Sequence, residues 1–230
     1  MTNVLGPKKN RVDTIQLPEF QEIIQNLRES ECHPYYTMRN LALVCILWLT
    51  GKRANEVAAI PLENVELTPS TLNIGFIVGK KITITRYSTR LKQISRKDPY
   101  TKPVIDYYQH MIDNHPDTAY LFPSTRYSNL DQSITLDPEK PLHRTTVWRI
   151  VTTASPDIWT HLFRESMGER TVKKYGDTIN GLFAVKRRLD LERLDTAMRY
   201  VERYAGERIE SSVPDALVDT IDTTNPTTEE

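Results

Sequence analysis

The sequence predicts an α+β fold, mostly helical with one small antiparallel sheet. Three features of its 230 residues carry that expectation. Apolar residues recur at helical spacing before residue 60 and again after residue 102. β-Branched, alternating stretches are confined to the region between. The strands are therefore grouped together rather than interleaved with helices, which excludes an alternating α/β sheet. No internal repeat is present.

Residues 1–13 are polar, carry Lys8, Lys9 and Arg11, and read as a flexible basic arm. A helix starts at Leu17: Pro18 suits a first turn, and Phe20, Ile23, Ile24 and Leu27 form one stripe. His33-Pro34 interrupts it. Tyr36 to Leu49 is a second helix, apolar on nearly every face and so buried. Thr50-Gly51 closes it in a tight corner, and Ala54 to Ile60 is a short third helix stopped by Pro61. Residues 71–78 and 82–87 are strands by composition, joined through Gly79-Lys80-Lys81, with a third strand near Lys92 to Arg96. Lys102 to Asn114 returns to helix, with Val104, Ile105, Tyr108, Met111 and Ile112 on its stripe. Tyr120 to Pro123 is extended, and Ser124 to Pro141 reads as a polar, turn-rich loop. Four helices follow: Thr145 to Ala154, Thr160 to Tyr175, Ile179 to Arg188, and Asp195 to Tyr204, the last with Asp195 as N-cap. The principal domain spans 14–210, and residues 211–230 read as an acidic, disordered tail whose Val213 to Ile221 stretch holds a short apolar face.

Composition narrows the function classes. Hydrophobic residues make up 39% and charged residues 26%, as in a soluble globular chain. The longest apolar run, Leu41 to Leu49, is too short to cross a bilayer, and no secretory signal opens the chain, so a cytoplasmic protein is expected. Cys32 and Cys45 build no disulfide framework and no zinc site. The P-loop, the dinucleotide glycine fingerprint, the His-Glu-x-x-His motif and the Gly-x-Ser-x-Gly elbow are all absent. Net charge is zero, but residues 211–230 hold −5, leaving +5 on the remainder. Lys80 to Lys102 alone holds +7: Lys80, Lys81, Arg86, Arg90, Lys92, Arg96, Lys97 and Lys102 against Asp98. Such a stripe is the footprint of a polyanion partner.

Within this frame four motifs occur in order. Thr50-Gly51-Lys52-Arg53-Ala54-Asn55-Glu56 follows the buried helix; the basic hairpin carries Lys92, seven residues before Pro99; His161-Leu162-Phe163-Arg164 opens a helix; and Thr196-Ala197-Met198-Arg199-Tyr200 lies on another. Together they resemble the catalytic domain of the tyrosine recombinase (phage integrase) family over residues 14–205. The first is similar to its Thr-Gly-x-Arg-x-x-Glu corner, and His161 with Arg164 to its His-x-x-Arg. Lys92 matches its hairpin lysine, and Tyr200 stands where its nucleophile stands. Tyr120-Leu121-Phe122-Pro123 is a further landmark. His-Leu-Phe-Arg-Glu and Leu189 to Glu192 look most like archaeal members. Three departures are visible, one of them Ala197 in place of a common Thr. Leu191 occupies the place, nine residues before the tyrosine, where the family has a second His or a Trp; Lys186, Arg187, Arg188 and Arg193 are the nearby replacement donors. The family's usual N-terminal DNA-binding domain has no counterpart ahead of the motifs in these 230 residues.

The resemblance implies a site-specific recombinase or integrase that cuts and rejoins double-stranded DNA through a 3′-phosphotyrosine bond, as a tetramer on two sites, with neither metal nor cofactor. The residue types suit that chemistry. Arg53 and Arg164 offer permanently charged donor forks to phosphate oxygens. Tyr200, with an ordinary pKa of about 10, needs a proton acceptor, and His161 is the candidate. Lys92 is the candidate acid for the 5′-oxygen, and Glu56 a supporting carboxylate. Lys80, Lys81, Arg86, Arg90, Arg96 and Lys97 are candidate DNA contacts, and Arg90, Arg96 and Lys97 rival Lys92 in basicity. Tyr204, one turn on, and Tyr175 rival Tyr200. The alternatives are a type IB topoisomerase-like enzyme, a DNA-binding regulatory protein derived from an integrase, and a helical protein–protein adaptor.

Overall fold

The stripe expected after Leu17 becomes α1 (Leu17–Glu29), whose Phe20, Ile23, Ile24 and Leu27 are all buried. The computed structural model of the chain describes residues 14–30, 33–78, 88–176 and 178–209. The arm at 1–13, Cys32, the strand expected at 82–87 with Lys80, Lys81 and Arg86, and the tail at 211–230 lie outside the described residues. At the start of α1 the Gln16 backbone N–H donates to Glu19 Oε2 at 2.7 Å, a capping arrangement that satisfies an otherwise orphaned donor.

Helix α2 (Pro34–Thr50) runs through the middle of the core, packed by α1 and by α4 (Lys102–Asn114), α5 (Arg144–Ala154) and α6 (Thr160–Tyr175). His33 is its N-cap, with Nδ1 accepting from the Tyr35 backbone N–H. Gly51 ends it in the left-handed region, φ 61°, and its N–H bonds Leu47 O at 2.9 Å. A Cβ there would stand 2.7 Å from Met167 Cβ, so both conformation and space require glycine. The Phe20 ring stacks on Trp48 with centroids 4.2 Å apart and meets Tyr100 and Phe163 edge-on.

Short α3 (Ala54–Ala58) and a 3₁₀ turn (Leu62–Asn64) lead into an antiparallel sheet of order β1-β2-β3: β1 (Val65–Leu67), β2 (Thr71–Val78) and β3 (Ser88–Ser95). The three-residue β1 carries too short a pattern to read from sequence. Ser124 to Pro141, expected as a loop, is instead a second hairpin, β4 (Pro123–Tyr127) and β5 (Ile134–Pro141). Ile134 and Leu136 pack on the core while Tyr127 and the turn residue Leu130 are exposed, which left its alternation faint. On α4 the buried line is Val104, Tyr107 and Met111, with Ile112 exposed.

Past Phe163 the chain builds a second apolar cluster. The later turns of α6 pack against α7 (Ile179–Arg188) and α8 (Leu194–Ile209) through Met167, Val172, Val185, Leu189, Leu191, Ala197, Tyr204 and Ala205. Helix α8 starts at Leu194, so Asp195 lies inside its first turn, accepting from the Thr196 backbone N–H at 2.8 Å. The site lies where the two clusters meet.

Phe20 is fully buried among three aromatic rings, so Phe20→Ala should lower unfolding free energy by about 3–5 kcal/mol. Chemical denaturation of the two proteins checks this.

Candidate active site

The Gly51 turn points Arg53 outward as the N-cap of α3, and the chain folds back so that Glu56 serves it twice. Glu56 Oε2 accepts from the Arg53 backbone N–H at 2.9 Å, and Oε1 lies 3.3 Å from its guanidinium. Glu56 is buried and Arg53 half-exposed, so one carboxylate aims a cation into open space.

Arg164 is 3% exposed on α6. Its guanidinium donates to Gly51 O at 3.0 Å and to Leu189 O, bridging the α2–α3 corner to the loop after α7. These bonds leave part of its five-donor fork unspent. The nearby Arg53 charge, added to burial, lowers the Arg164 pKa, and Tyr200 and Glu56 pull the other way. Two like charges held close in a partly buried setting make a well for an anion.

Tyr200 reaches this point from α8. Its ring lies directly against Gly168, where any Cβ would collide with the aromatic carbons. Its hydroxyl donates to Glu165 Oε1 at 3.0 Å. Burial and the Glu165 charge push the phenol up to about 12, against the pull of Arg164. Tyr204 donates to the other oxygen, Glu165 Oε2, at 3.1 Å, and lies in the apolar cluster beside Arg203. Tyr175 is 40% exposed, and Arg188 and Lys174 beside it lower its pKa.

His161, at the first turn of α6, is exposed, and its Nε2 lies 3.0 Å from Glu165 Oε1. It therefore approaches the Tyr200 hydroxyl through a shared carboxylate oxygen. The i, i+3 spacing placed His161 and Arg164 together, but Arg164 turns into the core while His161 turns along α6 to Glu165.

Contacts separate Lys92 from Arg96 and Lys97. Lys92 pairs with Ile74 across the sheet and shares the face of buried Ile94, two residues on. Its ammonium donates to Arg187 O and Arg188 O, each at 3.0 Å, where α7 runs out of intrahelical donors, and meets Asp190 Oδ2 at 2.9 Å. Arg96 instead donates to Thr68 O at 3.1 Å on the surface, and Lys97 is exposed. Arg90 lies on β3 opposite Phe76. Burial lowers the Lys92 pKa, with Asp190 opposing.

Two further residues, Lys52 and Asp190, belong to this constellation. Lys52 is 1% exposed, packed 4.6 Å over the Phe76 ring, and pairs with Asp190 Oδ2 at 2.8 Å. Asp190 sits at φ 49° and takes both ammonium groups on one oxygen. Burial raises its pKa, but the two lysines outweigh burial and hold it below the ordinary carboxylate range. Next to it, Leu191 is buried in the second cluster. Among the candidate replacement donors, Arg193 is paired with Asp195 at 2.8 Å. Glu165, like Asp190, is an acceptor that sequence reasoning missed; its sole signal was adjacency to Arg164.

Among the described residues, no group of three or more His, Cys, Asp or Glu side chains is placed to hold a metal ion, and no helix is long and apolar enough to cross a membrane.

With this geometry in hand, the comparisons are specific. The phage integrase family matches residues 14–207. The fold is similar to that of the XerH site-specific recombinase bound to palindromic difH substrate in a post-cleavage complex, at TM-score 0.62 and 18% identity, covering 86% of this chain and 51% of that one. The pre-cleavage complex of XerH with difH gives 0.60 and 18%, covering 87% and 53%. The XerA recombinase gives 0.59 and 17%, covering 87% and 65%. The chain thus spans about half the length of the XerH chains. No curated protein matches it in sequence.

Asp190→Asn keeps a side chain that tolerates the left-handed backbone but removes the charge between Lys52 and Lys92. It should cost about 3–5 kcal/mol, as when one partner of a buried pair is deleted. The carboxyls of Asp190, Glu165 and Glu169 are all held low. The stability they contribute is complete above their unfolded values of about 4 and is lost as pH falls through their lower folded values. Urea titrations of both proteins between pH 7 and pH 3 check this: the wild type should weaken below about pH 4, and Asp190→Asn should weaken less steeply.

Proposed function

Since the chain belongs to the phage integrase family, we propose that it is a site-specific recombinase that cuts and rejoins duplex DNA through a 3′-phosphotyrosine at Tyr200, without metal or ATP. The observation that carries this reading is the buried Arg164 guanidinium, held by Gly51 O and Leu189 O with Arg53 and Tyr200 both acting on its charge. Residues 14–210 act as its catalytic domain, in the cell interior. The run His161 to Glu165 supports placing it near archaeal members.

Arg53 and the free part of the Arg164 fork bind the non-bridging oxygens of the scissile phosphate, where negative charge grows in the transition state. Glu56 keeps Arg53 aimed at that point. The Tyr200 oxygen attacks in line, and the 5′-oxygen leaves with a proton from Lys92. The lowered pKa of Lys92 makes its proton easier to give up than that of a free lysine. The bond to tyrosine keeps the energy of the phosphodiester, so the reverse attack by a 5′-hydroxyl rejoins DNA with no further input. Lys80, Lys81, Arg86, Arg90, Arg96 and Lys97 contact phosphates along the duplex and set position rather than sequence. The palindromic substrate of XerH supports an inverted-repeat target, bound by pairs of copies that assemble as a tetramer over two sites.

Short duplexes tiled across the DNA on both sides of the chain's own gene provide the substrates. On ordinary DNA, Lys92→Ala should slow covalent-complex formation by about 10²–10⁴-fold, the usual contribution of a positioned acid. With a 5′-bridging phosphorothiolate it should recover to near the wild-type rate, because a thiolate leaves without a proton. Failure to recover would remove Lys92 from that role. Absence of any covalent product from the wild type would overturn the recombinase reading.

A further inference from the structure

The Tyr200 hydroxyl has a proton acceptor within reach, and it is Glu165 rather than histidine. Glu165 Oε1 accepts from Tyr200 at 3.0 Å and faces His161 Nε2 at 3.0 Å. Oε2 accepts from Tyr204 at 3.1 Å and lies 3.5 Å from the Arg203 guanidinium. Only 14% of the Glu165 side chain is exposed. An ionised carboxylate accepts hydrogen bonds and donates none. The His161 nitrogen that faces it therefore carries a proton, and that nitrogen has no lone pair to offer the phenol.

Resting on the recombinase reading above, we propose that Glu165 takes the Tyr200 proton during strand cleavage, with His161 acting through Glu165 as a positioning residue. The Tyr200 oxygen forms a bond to phosphorus, and the bond from phosphorus to the 5′-oxygen breaks. The phenol proton moves to Glu165 Oε1, and the 5′-oxygen receives its proton from Lys92. Rejoining returns both protons along the same paths.

The charged and titratable groups around Glu165 are consistent with this role. His161 faces it from its own helix, and Tyr200, Arg203 and Tyr204 face it from α8. Burial raises the Glu165 pKa, but the bonds from His161, Tyr200 and Tyr204 outweigh burial and hold it below the ordinary range. It is thus ionised and ready to accept throughout the neutral range. Its weak basicity is offset by reach, since an acceptor must first lie within hydrogen-bond distance of the proton it removes. Glu165 also keeps Tyr200 protonated while no phosphate is present, because a phenolate beside a carboxylate is unfavourable.

Single-turnover cleavage of a 5′-bridging phosphorothiolate duplex tests this, since that substrate removes the contribution of Lys92 from the pH profile. The wild-type rate should be level between about pH 5.5 and pH 8, above the carboxylate range. Glu165→Gln should bind DNA as before, cleave about 10²–10⁴-fold more slowly, and gain about tenfold per pH unit as phenolate forms unaided. Glu165→Asp should recover part of the rate. Glu165→Gln cleaving at the wild-type rate with a level profile would overturn the inference and leave the recombinase reading standing. So would a wild-type inflection near about pH 6.5 that disappears in His161→Ala. A wild type that forms no covalent product overturns the recombinase reading and this inference together.

Discussion

One buried guanidinium holds the site together. Arg164 donates to the carbonyls of Gly51 and Leu189, which are distant in sequence and belong to different halves of the molecule. The first ends the central helix and launches Arg53. The second precedes Asp190, on which Lys52 and Lys92 converge. A charge taken out of water is tolerated only when its donors are matched, so Arg164 keeps both loops in register for as long as it stays buried. The same side chain faces Tyr200. Two of its donors are given to the backbone.

Around Arg164 the charges are arranged in matched sets. Asp190 joins two ammonium groups, Glu56 holds Arg53, and Glu165 joins two phenols, a histidine and an arginine. Each carboxylate is an acceptor shared among several donors, which makes it a stiff positional constraint. Arg53 and Arg164, by contrast, crowd each other.

Much of the fold was legible in the sequence because its helices are strongly periodic. The stripe of α1, the all-round apolar α2 and the limits of α6 and α7 follow from spacing and punctuation alone. The β4–β5 hairpin was not legible, because a strand pair lying on the surface with one lightly buried face leaves little alternation to detect. At the site, Arg53, Glu56, Arg164 and Tyr200 were marked by their motifs. Lys92 was one of several equivalent basic residues in sequence, and its bonds to Arg187 O, Arg188 O and Asp190 come from the tertiary fold. Lys52, Glu165 and Asp190 are ordinary charged residues in sequence; their significance comes from tertiary burial, which no local pattern encodes. His161 was expected as the proton acceptor of Tyr200, and its Nε2 and the Tyr200 hydroxyl both meet Glu165 Oε1, an acceptor the motif did not mark.

The central claim is that Tyr200 alone becomes joined to DNA. Arginines at 199, 203 and 208 make the question directly answerable, since trypsin releases residues 200–203 and 204–208 as separate peptides. The measurement is mass spectrometry of trypsin- and nuclease-treated covalent complex trapped on a 5′-bridging phosphorothiolate duplex. A nucleotide adduct confined to Tyr200-Val-Glu-Arg is the predicted result. An adduct on the peptide that begins at Tyr204, or on any other tyrosine, would contradict the account.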